Sequence, residues 1–222
     1  LQTIYDVVID NEEVEGTFYV FYDKLQLVQS KNIPKFISDA DCKLTLYKNC
    51  RNTENIAITS LKAISDRNPK LCDGAIKGVP AIHYRENSEE VINRVASIIE
   101  ELKEEDITDV AILTCKSEAG SILNDACTNG KFNKKIFTTC RKYKGLEADA
   151  IILVDVDEET FRSEAVQRFY VGSSRARLRL EIVTTMTDTD CESVLLNVVD
   201  YKKKIKNPKR DMASAFNSMP IV

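Results

Sequence analysis

The sequence contains no tryptophan and a single histidine, His83. One imidazole is too few for a His-rich metal centre, and a Ser-His-Asp triad becomes a poor reading for the same reason. Glycine is scarce as well, at seven in 222 residues. None of the seven falls in GxxxxGK[ST], the loop whose backbone N–H groups and lysine hold nucleotide phosphates. Gly74-Ala-Ile-Lys-Gly78 has the wrong spacing and lacks the closing Lys-Ser/Thr, and there is no GxGxxG turn. A self-sufficient P-loop NTPase is therefore excluded. The seven cysteines, at 42, 50, 72, 115, 127, 140 and 191, are never closer than eight residues apart. That spacing excludes CxxC zinc knuckles, and the odd count argues against a disulfide framework. Reduced thiols in a cytoplasmic protein are the simpler expectation. The longest apolar runs, Phe18–Tyr22 and Ala150–Val154, are five residues each. A membrane helix needs about twenty, so no membrane partner is expected. There is no initiator Met or apolar leader at Leu1, and the chain reads as a piece of something longer.

What is present is an ordinary globular composition, 43% hydrophobic and 30% charged, in a length that suits one large α/β domain. The formal charge of −4 argues against a generic DNA-coating protein, but it averages over patches. Lys131–Lys144 holds six Lys or Arg and no acid, and Lys202–Arg210 holds six more. Such stripes fit either a nucleic-acid groove or a solvated face.

Short apolar runs alternate with amphipathic stretches, the pattern of a mainly parallel sheet flanked by helices. Strands are expected at Thr17–Tyr22, Cys42–Tyr47, Pro80–Tyr84, Asp109–Cys115, Lys135–Cys140, Ala150–Val156 and Leu178–Thr184. Ala150–Val154 is apolar on both faces, as a central parallel strand must be. Leu178–Ile182 alternates and is placed nearer an edge. Asn87-Ser-Glu-Glu90 resembles a capping box, ahead of Val91, Val95, Ile98 and Leu102 on one helical face. Further helices are expected after Asn52, over Arg162–Ser174 and over Asp190–Lys206. Asn68–Gly78 reads as a loop, and the last dozen residues as a frayed tail. Cys115, Cys127 and Cys140 lie in or beside apolar stretches and read as core-filling thiols rather than a cluster site.

Four segments carry more specific information, and they occur in a fixed order. Phe21-Tyr-Asp-Lys-Leu-Gln26 follows a strand. Leu46-Tyr-Lys-Asn-Cys-Arg-Asn-Thr53 joins a strand to a helix. Thr138-Thr-Cys-Arg-Lys-Tyr-Lys-Gly-Leu-Glu147 precedes the buried strand, and Phe169-Tyr-Val-Gly-Ser-Ser-Arg-Ala-Arg177 closes a helix. The succession resembles motifs III, IV, V and VI of the superfamily 1A, UvrD-like DNA helicases, over roughly residues 17–185. The Phe-Tyr-Asp-x-x-Gln and Arg-Lys-Tyr-Lys-Gly-Leu-Glu-Ala-Asp wording is closest to relatives that carry a nuclease-related domain ahead of the helicase.

The resemblance implies a RecA-like second motor domain at 31–205 that lacks its own Walker A loop. A remnant of the first motor domain would occupy 1–30, and a tail 206–222. It implies an ATP-dependent DNA helicase or translocase, with ATP and Mg²⁺ held between this domain and the first motor domain, which supplies the magnesium ligands. Arg51 and Arg175 would be arginine fingers on the γ-phosphate, and Gln26 a sensor of nucleotide state. The planar guanidinium fork suits phosphate oxygens, while the plainer reading of a lone Arg is a surface ion pair. Lys144 and Gly145 would approach the nucleotide closely, and Glu147 would accept from its ribose hydroxyl. Thr138, Thr139 and Arg141 would touch single-stranded or partly duplex DNA. The family often has His where Arg141 stands, and Arg keeps phosphate bonding and base stacking available. The fragment alone would be inactive. Two readings of another class stay open: a non-catalytic RecA-like interaction or regulatory module, and a DNA-binding NTPase switch of a defence system that does not unwind.

Overall fold

Ala150–Val154 is apolar on both faces because both faces are covered. A computed structural model describes residues 19–21, 34–40, 42–65, 67–132, 135–162, 165–199 and 201–222. It divides into two units, Leu1–Tyr47 and Lys48–Val222. In the first, α1 (Lys35–Ser38) is the helix described, and 42–47 forms no strand despite its alternating pattern. The expected strand at 17–22 is described only at 19–21, where no strand forms. Gln26 and the 30/31 boundary lie outside the described residues.

The larger unit runs α2 (Glu54–Lys62), β1 (Ala81–Tyr84), α3 (Ser88–Glu104), β2 (Val110–Thr114), α4 (Asn124–Thr128), β3 (Ile136–Thr139), β4 (Ala148–Val154), a 3₁₀ turn (Glu158–Phe161), α5 (Val166–Ser173), β5 (Ala176–Thr184), α6 (Asp188–Asn197), α7 (Pro208–Ala215) and β6 (Met219–Ile221). The six strands form one sheet in the order β3-β2-β4-β5-β1-β6, and every pairing is parallel. Period-two alternation sends Ile151 and Leu153 to one face and Ala150, Ile152 and Val154 to the other. The first face packs on Ile56 of α2, Phe169 of α5, Val194 and Leu195 of α6 and Met212 of α7. The second packs on Val91, Val95, Ile98 and Leu102 of α3. Each such side chain contributes about 1.5–3 kcal/mol of burial.

α3 starts where the capping signal places it. Asn87 Oδ1 accepts from Glu90 N–H at 3.0 Å, and the Glu90 carboxylate accepts from Glu86 N–H at 3.0 Å, one residue earlier than the standard box. His83 lies fully buried in β1. Arg94 Nε donates to its Nδ1 at 3.1 Å, which leaves Nε2 to donate to Glu181 at 2.7 Å. The chain's one histidine is thus committed to a buried polar network.

Two expectations change. β5 lies between β4 and β1, not at an edge. Its alternating half, before Glu181, extends past the start of β1, whose register with it begins at Ala81↔Glu181. Among the described residues that stretch has no paired strand on one side, and this explains its pattern. The expected 190–206 helix stops at Asn197, and the expected frayed tail is ordered instead. Asn207 caps α7 with Pro208 at its first position. Asn217 takes a left-handed turn at φ 54°, and β6 pairs beside β1 with Pro220 at the sheet edge. Phe216 is fully buried, its ring 5.4 Å from Phe161 and 5.8 Å from Phe169. Among the described residues no helix is long and apolar enough to cross a membrane.

Candidate functional site

Parallel strands give the sheet two unlike edges, and the candidate residues divide between them. Where the strands begin, Arg51 is held in a loop ordered by asparagines. Asn49 Oδ1 accepts from the backbone N–H of Arg51 at 2.9 Å and of Asn52 at 3.1 Å. The loop is strapped to a neighbouring segment, with Asn49 N–H donating to Lys70 O at 2.7 Å and Cys72 N–H to Asn49 O at 3.2 Å. This backbone bridge brings the Cα atoms of Cys50 and Cys72 to 5.3 Å, and the two are disulfide-bonded. The expectation of fully reduced thiols is corrected there. The cause is a contact across 22 residues that cysteine spacing does not encode.

Glu147 arrives at the same edge just ahead of β4. Arg51 Nε donates to Glu147 Oε2 at 2.7 Å, with both side chains about 40% exposed. Arg177 approaches the other carboxylate oxygen of Glu147 at 3.6 Å and also pairs with Asp149 at 2.8 Å and Asp109 at 3.2 Å. The three carboxylates therefore gather around one guanidinium. Among the described residues no cluster of His, Cys, Asp or Glu is arranged to hold an ion.

Arg175 stands beside this group in sequence, at the end of α5, but its side chain turns inward. It is 2% exposed, and its Nε donates to Val171 O at 3.1 Å. Between β3 and β4 the segment 140–147 crosses the sheet without a helix. Gly145 adopts φ +94°, a conformation glycine takes without strain, with open space where a Cβ would stand. Lys144 beside it is exposed. Tyr143 is buried and donates to Glu147 O at 3.2 Å, so it is not available for stacking on a base.

At the opposite edge, where strands end, Thr138 and Thr139 close β3. Thr138 Oγ1 donates to Glu118 at 2.9 Å, and Lys142 Nζ reaches both oxygens of that carboxylate at 3.0 and 3.1 Å. Hydrogen bonds from Lys142 and then Thr138 hold the Glu118 carboxyl below the usual range. Thr139 Oγ1 accepts from Lys142 N–H at 3.2 Å, and Arg141 is exposed. Next to them lies a cavity of about 320 Å³ lined by Lys116, Gly120, Ser121, Asp155, Asp157 and Thr184, among others. Asp155, at φ 58°, accepts from Thr114, Ser121 and Ile122 N–H and so holds the 116–122 loop in place. Burial works against ionised Asp157, but hydrogen bonds from Lys116 and Thr160 prevail and lower its pKa. Cys115 and Cys140 meet in the core with sulfurs 4.0 Å apart, and their hydrogen bond together with burial pushes the Cys115 thiol up.

The structure thus brings Arg51 and Glu147 together, sets Thr138, Thr139 and Arg141 on the other edge, and withdraws the Arg175 side chain into the core. Sequence reasoning missed Arg177, Asn49, Asn52 and Glu118. Arg177 had a usable signal as the second arginine of Arg-Ala-Arg. Glu118 had none, because its partners Thr138 and Lys142 lie 20 and 24 residues away in sequence.

Residues 136–183 match the family model of the UvrD-like helicase C-terminal domain. No curated protein matches the chain. Among solved structures, the C-terminal domain of a possible DNA helicase from Lactobacillus plantarum WCFS1 aligns at TM-score 0.47 and 22% identity, covering 61% of this chain and 87% of that one. A PRRSV helicase aligns at TM-score 0.38 and 13% identity, covering 68% of this chain and 25% of that one. A structure of PRRSV nsp10 (helicase) aligns at 0.32 and 14%, covering 67% and 26%. The matched residues run from β3 through the 140–147 crossing and α5 into β5, and across them the chain is similar to the UvrD-like helicase C-terminal domain.

Proposed function

We propose that this chain is the second motor domain of an ATP-dependent DNA helicase or translocase, with its strand-start edge facing nucleotide and its strand-end edge facing DNA. The observation that carries the reading is the meeting of Arg51 and Glu147, two residues assigned to the nucleotide from separate motifs, on one edge of one sheet. Without nucleotide they satisfy each other. With ATP and Mg²⁺ bound against the first motor domain, Arg51 would exchange its carboxylate partner for γ-phosphate oxygens, and Glu147 would accept from the ribose. Both exchanges replace one charge-assisted bond by another and cost little net hydrogen bonding. Charge building on the transferring phosphoryl group then meets a guanidinium already in place. Magnesium would neutralise phosphate charge, with ligands from the first motor domain. Lys144 and Gly145 sit on the approach to the same edge. Thr138, Thr139 and Arg141 give the other edge hydroxyl and guanidinium donors suited to phosphate or base contact.

The buried Arg175 favours a second reading, that of a RecA-like interaction or regulatory module, or a DNA-binding NTPase switch of a defence system that does not unwind. For Arg175 to serve as a finger, its guanidinium must leave Val171 O. ATP turnover by the intact parent protein, measured with and without single-stranded DNA, separates these readings. DNA-stimulated turnover with strand displacement supports the motor. Turnover indifferent to DNA removes helicase and leaves an NTPase, and absence of turnover leaves the module.

A further inference from the structure

We propose that Asn52 is a positioning residue that makes the Arg51 loop and the start of β5 a single unit, so that Arg51 meets nucleotide at a fixed place on the sheet. The inference rests on the nucleotide reading above. Asn52 is 6% exposed, and every polar group of its side chain is used. Its Nδ2 donates to Ser174 O at 3.0 Å and to Ala176 O at 2.5 Å, the carbonyls on either side of Arg175. Its Oδ1 accepts from Asn49 Nδ2 at 2.8 Å, and the same Asn49 carries the backbone N–H of Arg51. The next residue extends the seam, with Thr53 N–H donating to Arg177 O at 3.2 Å. One buried amide thus joins two segments more than 120 residues apart in the chain, at 122 and 124 positions for its two bonds.

The residue type matters. A primary amide offers two N–H donors and one acceptor in a plane, which matches two carbonyls on one side and the Asn49 amide on the other. Leu keeps the volume and loses all three bonds. Asp would set a carboxylate against two carbonyl oxygens, and Ser has one donor for two acceptors. Losing the buried bonds leaves two carbonyls without these partners and lets the loop drift relative to β5. Because a finger acts in the transition state, the drift acts on turnover and spares ground-state binding.

The test uses the full-length protein and follows kcat and KM for ATP in Asn52→Leu, Arg51→Lys and the double variant. Asn52→Leu is expected to lower kcat by about 10- to 100-fold, as misplacement of about 1 Å does elsewhere, with KM changed by no more than about threefold. In the Arg51→Lys background it should lower kcat by no more than about twofold further, because the two act through one interaction. Asn49→Ala, which removes the same coupling from the other side, should follow the same pattern and carries the test if Asn52→Leu does not fold. Multiplicative losses in the double variant, or a raised KM at unchanged kcat, overturn the inference. Wild-type turnover in Arg51→Lys and Arg51→Ala alike would overturn the nucleotide reading itself, and the inference with it.

Discussion

Arg51 and Glu147 meet at 2.7 Å across 96 residues of sequence. Each is the partner that the other would give up to nucleotide. The pair therefore separates two kinetic effects. In the full-length protein, Arg51→Ala should lower kcat for ATP by about 10³-fold or more, the range of arginine fingers in other NTPases, with KM nearly unchanged. Glu147→Gln should instead raise KM about tenfold, the value of one charge-assisted hydrogen bond. Steady-state ATPase assays distinguish them, and equal effects of both variants on kcat alone would refute the division of roles.

Glu118 holds Thr138 and Lys142 at the strand-end edge, the one proposed to face DNA. Glu118→Gln removes one negative charge from beside the 131–144 basic stretch and releases the lysine. Affinity for single-stranded DNA should rise about 3- to 10-fold at low salt, and the slope of log affinity against log salt should steepen by about one. Fluorescence anisotropy titrations across a salt series measure both. An unchanged slope would mean that Lys142 does not reach phosphate.

Several carboxyls sit below their ordinary pKa in the folded chain. Burial opposes this at Asp157, where Lys116 and Thr160 prevail. Lys142 leads at Glu118, and the backbone N–H groups of Asn207 and Lys206 lead at Asp211. As pH falls the unfolded chain takes up protons first, which favours unfolding. Stability from these groups is complete above the usual carboxylate range near 4, and it is lost as pH drops through the lower folded values. Urea melts at a series of pH values should be flat from pH 7 to about 5 for these groups and decline below about 4. Rising stability on acidification would contradict the assignment.

Phe216 closes an aromatic cluster with Phe161 and Phe169 and anchors the C-terminal helix and strand. Phe216→Ala should cost about 3–5 kcal/mol, read by thermal or urea denaturation. A loss under about 1 kcal/mol would mean that the segment contributes little to the core.

The Cys50–Cys72 bond closes a loop around α2. Non-reducing peptide mapping should find these two cysteines linked, and reduction should lower stability by about 3 kcal/mol. Free thiols at both positions by alkylation would remove this feature.

The parallel sheet was legible because β2 and β4 are covered on both faces and therefore carry unbroken apolar runs. α3 was legible because its cap and its apolar stripe agree. The tail was not. Between 206 and 222 the signal is three basic residues, Lys206, Lys209 and Arg210, just before and within α7, while Met212, Ala213 and Phe216 supply the buried core contact. At the candidate site, position along the chain showed which segments matter but not where side chains point. Arg175 and Arg51 have similar local sequence surroundings, strand and helix ends rich in small polar residues. One is buried against its own helix, donating to Val171 O, and the other reaches Glu147, a difference that only the tertiary packing sets. Asn52 itself looks like an ordinary turn residue until the carbonyls it serves are brought to it by the fold.

The helix-free segment 140–147 has a mechanical consequence. It is eight residues long, runs from the Thr138–Arg141 edge to the Glu147 edge, and is folded into turns closed by Tyr143 N–H on Thr139 O and Leu146 N–H on Tyr143 O. Its first residue, Cys140, is wedged against α5, its sulfur so close to Gly172 that a Cβ there would come within 2.6 Å of it. A push on Arg141 therefore has two outlets, along the chain to Glu147 and sideways into α5, the helix that ends two residues before Arg175. With the two edges meeting DNA and nucleotide as proposed, traction on a strand of DNA would reach Glu147 along these eight residues and reach α5 through Cys140.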